Sequence, residues 1–159
     1  MTPCPSQIDR IMAVMEAAFD PAYGEAWNRR QISDALTLAS THALVIDSAG
    51  ALIPEGPQQA AAAGFVLTRH VLDEEELLLI AVDPRFRRRG LGEALIGHLL
   101  TAARTRGVTR VFLEMRRGNP AVALYRKIGF EPIGERRDYY RAANGERIDA
   151  ITFGLTIST

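Results

Sequence analysis

Apolar and polar positions recur along the chain with two different periods, and the first is helical. Ile8, Ile11, Met12, Met15 and Phe19 repeat at helical spacing behind Ser6, with Asp9 three residues after it as a capping box. This helix should end near Asp20-Pro21, because proline disfavours helix in the residue before it. Asn28 caps a second predicted helix with Ile32, Leu36 and Ala39 on one face. Residues 43–47 read as a strand turned by Ser48-Ala49-Gly50, and residues 54–59 as a loop by composition. Residues 64–71 and 76–82 are further strands, joined by an acidic turn at Asp73-Glu74-Glu75.

The pattern then changes. Residues 77–82 form a continuous apolar run, as expected for a strand buried on both faces. After Asp83-Pro84 an amphipathic helix carries Leu91, Leu95, His98, Leu99 and Ala102 on one stripe and stops at Gly107. Residues 108–115 are another apolar strand. Asn119-Pro120 pairs an N-cap with a first-turn proline, opening a short helix over residues 121–128 that Gly129 closes. Two strands bridged by a helix make a parallel pair with a right-handed crossover. Residues 131–141 and 146–157 flank Asn144-Gly145, a strong hairpin signal. The predicted fold class is α/β: a mixed, mostly antiparallel sheet with a central parallel βαβ pair, flanked by helices.

Composition narrows this picture. A chain of 159 residues fits one domain, residues 1–159, and 47% apolar with 24% charged residues excludes disordered, collagen-like and coiled-coil classes. Nineteen basic and nineteen acidic residues cancel, so no global electrostatic case exists for nucleic acid or an anionic membrane. Cys4 stands alone, which rules out an intrachain disulfide; with no secretory pattern in the first ten residues, the expectation is a cytoplasmic protein. No apolar stretch approaches the roughly 20 residues of a membrane span. His42, His70 and His98 show no ligand spacing with Cys4 or each other, so no metal site is expected, and His98 reads as a satisfied core residue.

The segment from Asp83 to Gly92 carries the first chemistry. It follows a buried strand and opens a helix; Gly90 and Gly92 let backbone amides approach an anion, and Arg87, Arg88 and Arg89 supply charge. A pyrophosphate suits such a turn, although a solvated basic turn has the same composition. The Walker ending is missing, and position 95 is Leu where a dinucleotide fingerprint has its third glycine. Glu114 lies near the carboxyl end of the second parallel strand, on the face of Phe112 and opposite Val111, Leu113 and Met115. A carboxylate there can take a proton from an amine, or alternatively pair with Arg116 or Arg110. Tyr125, on the next helix, can donate a proton to a leaving group or pack as a half-buried ring.

Arg87-x-x-Gly90-x-Gly92 in this strand–helix setting resembles the acetyl-CoA pyrophosphate motif of the GNAT N-acetyltransferase superfamily. Ile80-Ala81-Val82-Asp83-Pro84, Leu113-Glu114-Met115-Arg116-x-x-Asn119, Ala123-Leu124-Tyr125-x-x-x-Gly129-Phe130, Arg136-Arg137-Asp138-Tyr139-Tyr140 and Asp149-Ala150 are similar to bacterial ribosomal-protein-alanine N-acetyltransferases, in order from about residue 64 to the end. The resemblance implies that Ile80, Ala81 and Val82 bind the pantetheine arm through backbone groups. Arg87 to Glu93, including Leu91, would cradle the pyrophosphate, and Asn119 would contact the cofactor. Glu114 would be the general base, Tyr125 the general acid, and Trp27, Tyr139 and Tyr140 the acceptor slot. One stretch and three single positions depart from the family pattern: Ala22 to Trp27 match its Pro-Trp-Ser stretch only at Trp27, Glu93 and Ile148 replace residues of other charge, and Gly118 replaces Ser.

The activity so implied is direct transfer of acetyl from acetyl-CoA to a primary amine, without metal. Its acceptor would be the N-terminal α-amino group of a protein such as a ribosomal protein. An α-amine with pKa near 7.8 is roughly 10–15% neutral at pH 7, against about 0.04% for Lys, so one carboxylate suffices for it. A small-molecule amine acceptor, or a non-catalytic coenzyme A-binding module, are the competing expectations.

Overall fold

The computed structural model describes residues 6–19, 26–55 and 60–157. The chain runs α1 (Gln7–Ala18), α2 (Arg29–Leu36), β1 (Thr41–Ile46), β2 (Gly64–Val71), β3 (Glu74–Val82), α3 (Leu91–Thr105), β4 (Arg110–Arg116), α4 (Val122–Ile128), β5 (Glu131–Arg141) and β6 (Arg147–Thr156). The strands form one sheet in the order β1-β2-β3-β4-β6-β5. Only β3 and β4 pair in parallel; every other neighbouring pair is antiparallel. The mixed, mostly antiparallel architecture expected from the sequence is therefore observed.

Local signals act as read. Ser6 and Asp9 close a reciprocal capping box on α1, and Asn28 with Gln31 does the same on α2. Asp20-Pro21 and Cys4 lie outside the described residues. Gly129 ends α4 at φ +119°, and Gly145 turns the β5–β6 hairpin at φ +86°. One apolar cluster packs α3 and α4 on one face of the sheet, around Leu95, Leu99, Val111, Leu113 and Phe153; α1 and α2 cover the other face around Ile11, Met15, Ile32, Phe65 and Leu79. No helix among the described residues is long and apolar enough to cross a membrane.

Several expectations need correction. The turn before β3 is Leu72-Asp73, with Leu72 at φ +57°, and Glu74 and Glu75 belong to the strand. Glu75 is fully buried and takes a two-pronged hydrogen bond from Arg106 at 2.6–3.0 Å, so burial is satisfied by charge pairing rather than avoided by a loop. Helix α2 stops at Leu36, which leaves Ala39 beyond it. On α3 the buried stripe includes Ile96 and Ala103, while Ala102 is half-buried. His98 is half-buried and bonds the Gly50 carbonyl at 2.9 Å, a satisfied role.

The apolar run 77–82 is not uniformly buried. Leu67 pairs with Leu79 and Thr68 with Leu77, so Leu78 is an extra residue in β3. A bulge of this kind switches the faces: Leu77 joins the α3–α4 cluster, whereas Leu79 and Ala81 join the α1–α2 cluster.

Candidate active site

The bulge at Leu78 coincides with the end of the parallel ladder. β3 and β4 pair only from Glu74–Arg110 to Leu77–Leu113. Beyond that point both strands continue, β3 to Val82 and β4 to Arg116, without pairing to each other. Ile80, Ala81 and Val82 are paired on their other side to Val66, Phe65 and Gly64. Their backbone groups on the β4 side therefore form an unladdered edge inside the sheet, which is what an extended amide-bearing ligand can use.

The cationic turn lies directly past this edge. Asp83, 4% exposed, accepts from the Arg85 amide at 3.0 Å and from its guanidinium at 3.0 and 3.2 Å, which holds its carboxyl below the usual carboxylate range and anchors the turn. Arg85 and Arg89 stand over the Phe86 ring, each 5.4 Å from its centre. Arg87, Arg88 and Arg89 are exposed, and Arg87 reaches the Ala18 carbonyl at 3.4 Å. Arg88 and Gly90 both have positive φ, +64° and +75°. Gly90 is the N-cap of α3 and no side chain caps the helix, so its first amides remain available to an anion.

The two glycines differ in role, contrary to the sequence reading. A Cβ on Gly90 would meet nothing within 4 Å, whereas one on Gly92 would lie 3.0 Å from the Leu124 side chain. Gly92 thus permits α3 to approach α4, while Gly90 takes the positive φ that the turn into α3 requires. Leu91 is buried in the core, and the Glu93 carboxylate takes Lys127 of α4 at 3.2 Å.

Glu114 sits on β4 where the strands have parted. The alternation of the strand buries Val111, Leu113 and Met115 and sends Glu114 to the α1–α2 face, as its parity predicts. Its side chain is 19% exposed. Its partners are neither Arg116 nor Arg110, which pairs with Glu74 at 3.9 Å. Instead Oε2 accepts from Thr152 Oγ1 at 3.3 Å and faces Arg136 Nε at 3.2 Å. Thr152 is the direct cross-strand neighbour on β6, and Arg136 reaches over from β5 beyond it.

Tyr125 approaches from the opposite face. It is 3% exposed, packs in the α3–α4 cluster with Leu113 and Met115, and meets the Phe130 ring edge-on at 5.6 Å. Burial pushes its phenol well above the ordinary tyrosine value, so it stays protonated. Asn119 does not occupy the N-cap of α4, which falls on Ala121; its Oδ1 accepts the Ala121 amide at 2.9 Å and shapes the turn before the helix. Trp27 is half-buried against the α1–α2 cluster, while Ala22 to Glu25 lie outside the described residues.

Tyr139 and Tyr140 meet edge-to-face at 5.2 Å on an irregular stretch of β5. Arg136 pairs with Ala150 and Tyr140 with Ile148, so residues 137–139 bulge opposite Asp149. The Asp149 carboxylate accepts the Asp138 amide at 2.9 Å, Asp138 has φ +55°, and Tyr139 is 51% exposed. Arg117, in the turn just past β4, braces the bulge at 2.6 Å from Glu135 and 3.6 Å from Asp149. The sequence reading gave no role to Arg117, Arg136 or Thr152; their signal is the pairing order of strands, which no local pattern carries. A separate cavity of about 570 Å³ between α4 and β5 includes only Asn119 of the expected site residues.

The fold is that of an acetyltransferase, and the chain belongs to the Acetyltransferase (GNAT) family, whose model matches residues 9–130. Among curated relatives, the chain is similar to the [Ribosomal protein bS18]-alanine N-acetyltransferase of Salmonella typhimurium, at 50% identity over 97 residues, which is 60% of this chain and 65% of that one. The match to the enzyme of the same name from Escherichia coli is 46% over 102 residues, 64% of this chain and 68% of that one. The chain thus spans about two thirds of the length of these relatives. The crystal structure of the Escherichia coli ribosomal-protein-S18-alanine N-acetyltransferase superposes with a TM-score of 0.77 and 33% identity, covering 96% of this chain and 88% of that one.

Proposed function

We propose that the protein transfers acetyl from acetyl-CoA to the N-terminal α-amino group of a protein, directly and in the cytoplasm. The observation that carries this reading is the placement of Glu114 and Tyr125 on opposite faces of the point where β3 and β4 part. An acceptor amine approaching from the α1–α2 face meets a carboxylate, and a thioester sulfur on the other side meets a phenol. Acetyl-CoA supplies the activated acyl group. The unladdered edge of Ile80 to Val82 binds its amides, and the α3 terminus with Arg87 to Arg89 holds its pyrophosphate. Glu114 takes the proton of the attacking amine.

Tyr125 serves the departing thiolate as a hydrogen-bond donor. A phenol raised by burial is a weaker acid than a thiol of pKa about 8.5, so donating a hydrogen bond is favoured over complete proton transfer. The bS18-alanine relatives favour a ribosomal protein N-terminus as acceptor. The test is thiol release and mass spectrometry on peptides beginning with Ala, Ser or Met, beside N-blocked peptides with internal Lys and small amines. Acetylation confined to free N-termini is expected. Turnover only with small amines would overturn the acceptor.

A further inference from the structure

We propose that Arg136 is a positioning residue that fixes the Glu114 carboxylate and couples it to the acceptor slot; the inference rests on Glu114 being the base. Both groups that hold Glu114, Thr152 Oγ1 at 3.3 Å and Arg136 Nε at 3.2 Å, engage the same oxygen, Oε2. Oε1 has no hydrogen-bond partner among the described residues and is the oxygen left for the incoming amine. A carboxylate held at one oxygen only by a hydroxyl at long range would rotate; the added charge-assisted contact restricts it. Arg136 comes from β5, two strands from β4, and its guanidinium also stands 5.1 Å from the centre of the Tyr139 ring. Tyr139 is carried by the bulge that Asp149 holds. One side chain therefore touches the base with its Nε and the exposed ring of the acceptor slot with its face. An acceptor seated on Tyr139 confines Arg136 from above, and Arg136 confines Glu114. Arg136 has a side chain 62% exposed, so its replacement removes no core contact.

The experiment is steady-state thiol release with an N-terminal peptide acceptor for wild type, Glu114→Gln, Arg136→Gln, Arg136→Lys and the Glu114→Gln/Arg136→Gln double variant. Melting temperatures serve as the folding control. Arg136→Gln should lower kcat by about 10-fold or more, the scale on which catalytic misplacement acts, with the KM for acetyl-CoA unchanged. Arg136→Lys, which keeps charge but not the planar fork, should recover part of the loss. The double variant should be no slower than Glu114→Gln alone, because a residue acting only through the carboxylate has nothing left to position. If Glu114→Gln is disabling while Arg136→Gln is silent, or if the two losses multiply, the positioning role is overturned and the base assignment stands. If Glu114→Gln is itself silent, both fall together.

Discussion

The carboxylate of Asp149 accepts the backbone amide of Asp138 at 2.9 Å, across a bulge in which Asp138 is held at φ +55°. A non-glycine residue in that conformation is costly and needs support from its surroundings. Asp149→Ala should remove that support, free residues 137–139, and raise the acceptor KM several-fold without altering acetyl-CoA binding. Asp149 belongs to neither apolar cluster, so the fold should persist. Initial rates at varied acceptor concentration check this.

Glu114→Gln preserves shape but accepts no proton. Turnover should fall by about 10²–10⁴-fold if the carboxylate acts directly. Acetyl-CoA should still raise the melting temperature by the same amount, since the variant leaves the β3 edge and the α3 terminus intact.

Tyr125→Phe deletes a hydroxyl and keeps a ring that packs against Phe130. The expected loss is about 10-fold in kcat with little change in acceptor KM, as for an interaction made in the transition state. A role limited to packing predicts weaker cofactor binding and an unchanged rate at saturation. Saturating kinetics separates the two.

Gly90→Val places a β-branched residue at φ +75°, the left-handed region, and adds bulk in the open space beside the first amides of α3. Acetyl-CoA affinity should drop sharply in isothermal titration. Beyond Gly90 and its chain neighbours the added Cβ meets no atom within 4 Å, so the cost to folding is local backbone strain.

His42 and His70 stack with their ring nitrogens 2.7 Å apart. Burial, then the nearby Arg106, lowers the His42 pKa below its ordinary 6.5, against the opposing pull of Glu75. The unfolded chain then binds the proton more readily than the folded one, so this site's destabilisation is absent above about pH 6.5 and grows as pH falls below it. The melting temperature should decline on acidification, and His42→Gln should flatten that decline. An unchanged slope in the variant would show that another group is responsible.

Much of this was legible where the signal is local. Ser6 with Asp9, Asn28, Gly129 and Asn144-Gly145 each set a boundary through contacts within a few residues, and each acts as read. The parity of Glu114 also survived, because strand alternation fixes the face once the strand is known. What escaped depends on register. Glu75 looked like part of an acidic turn because its neutralising Arg106 lies 31 residues away, just past the end of α3. Leu78 looked like one more core leucine because a bulge is defined by the partner strand. Arg136 reaches Glu114 only because β6 lies between β4 and β5, an order that no window of sequence reveals.

The short parallel ladder also bears on mechanics. Four residue pairs join the three-stranded plate β1–β3 to the plate β4–β6, all at one end of the seam. Stiffness across the sheet is thus supplied there by backbone and elsewhere by the helices laid over it. A ligand bridging both free edges would act as a rivet, stitching two plates into one load path and making a molecule hinged along one seam behave as a single rigid slab.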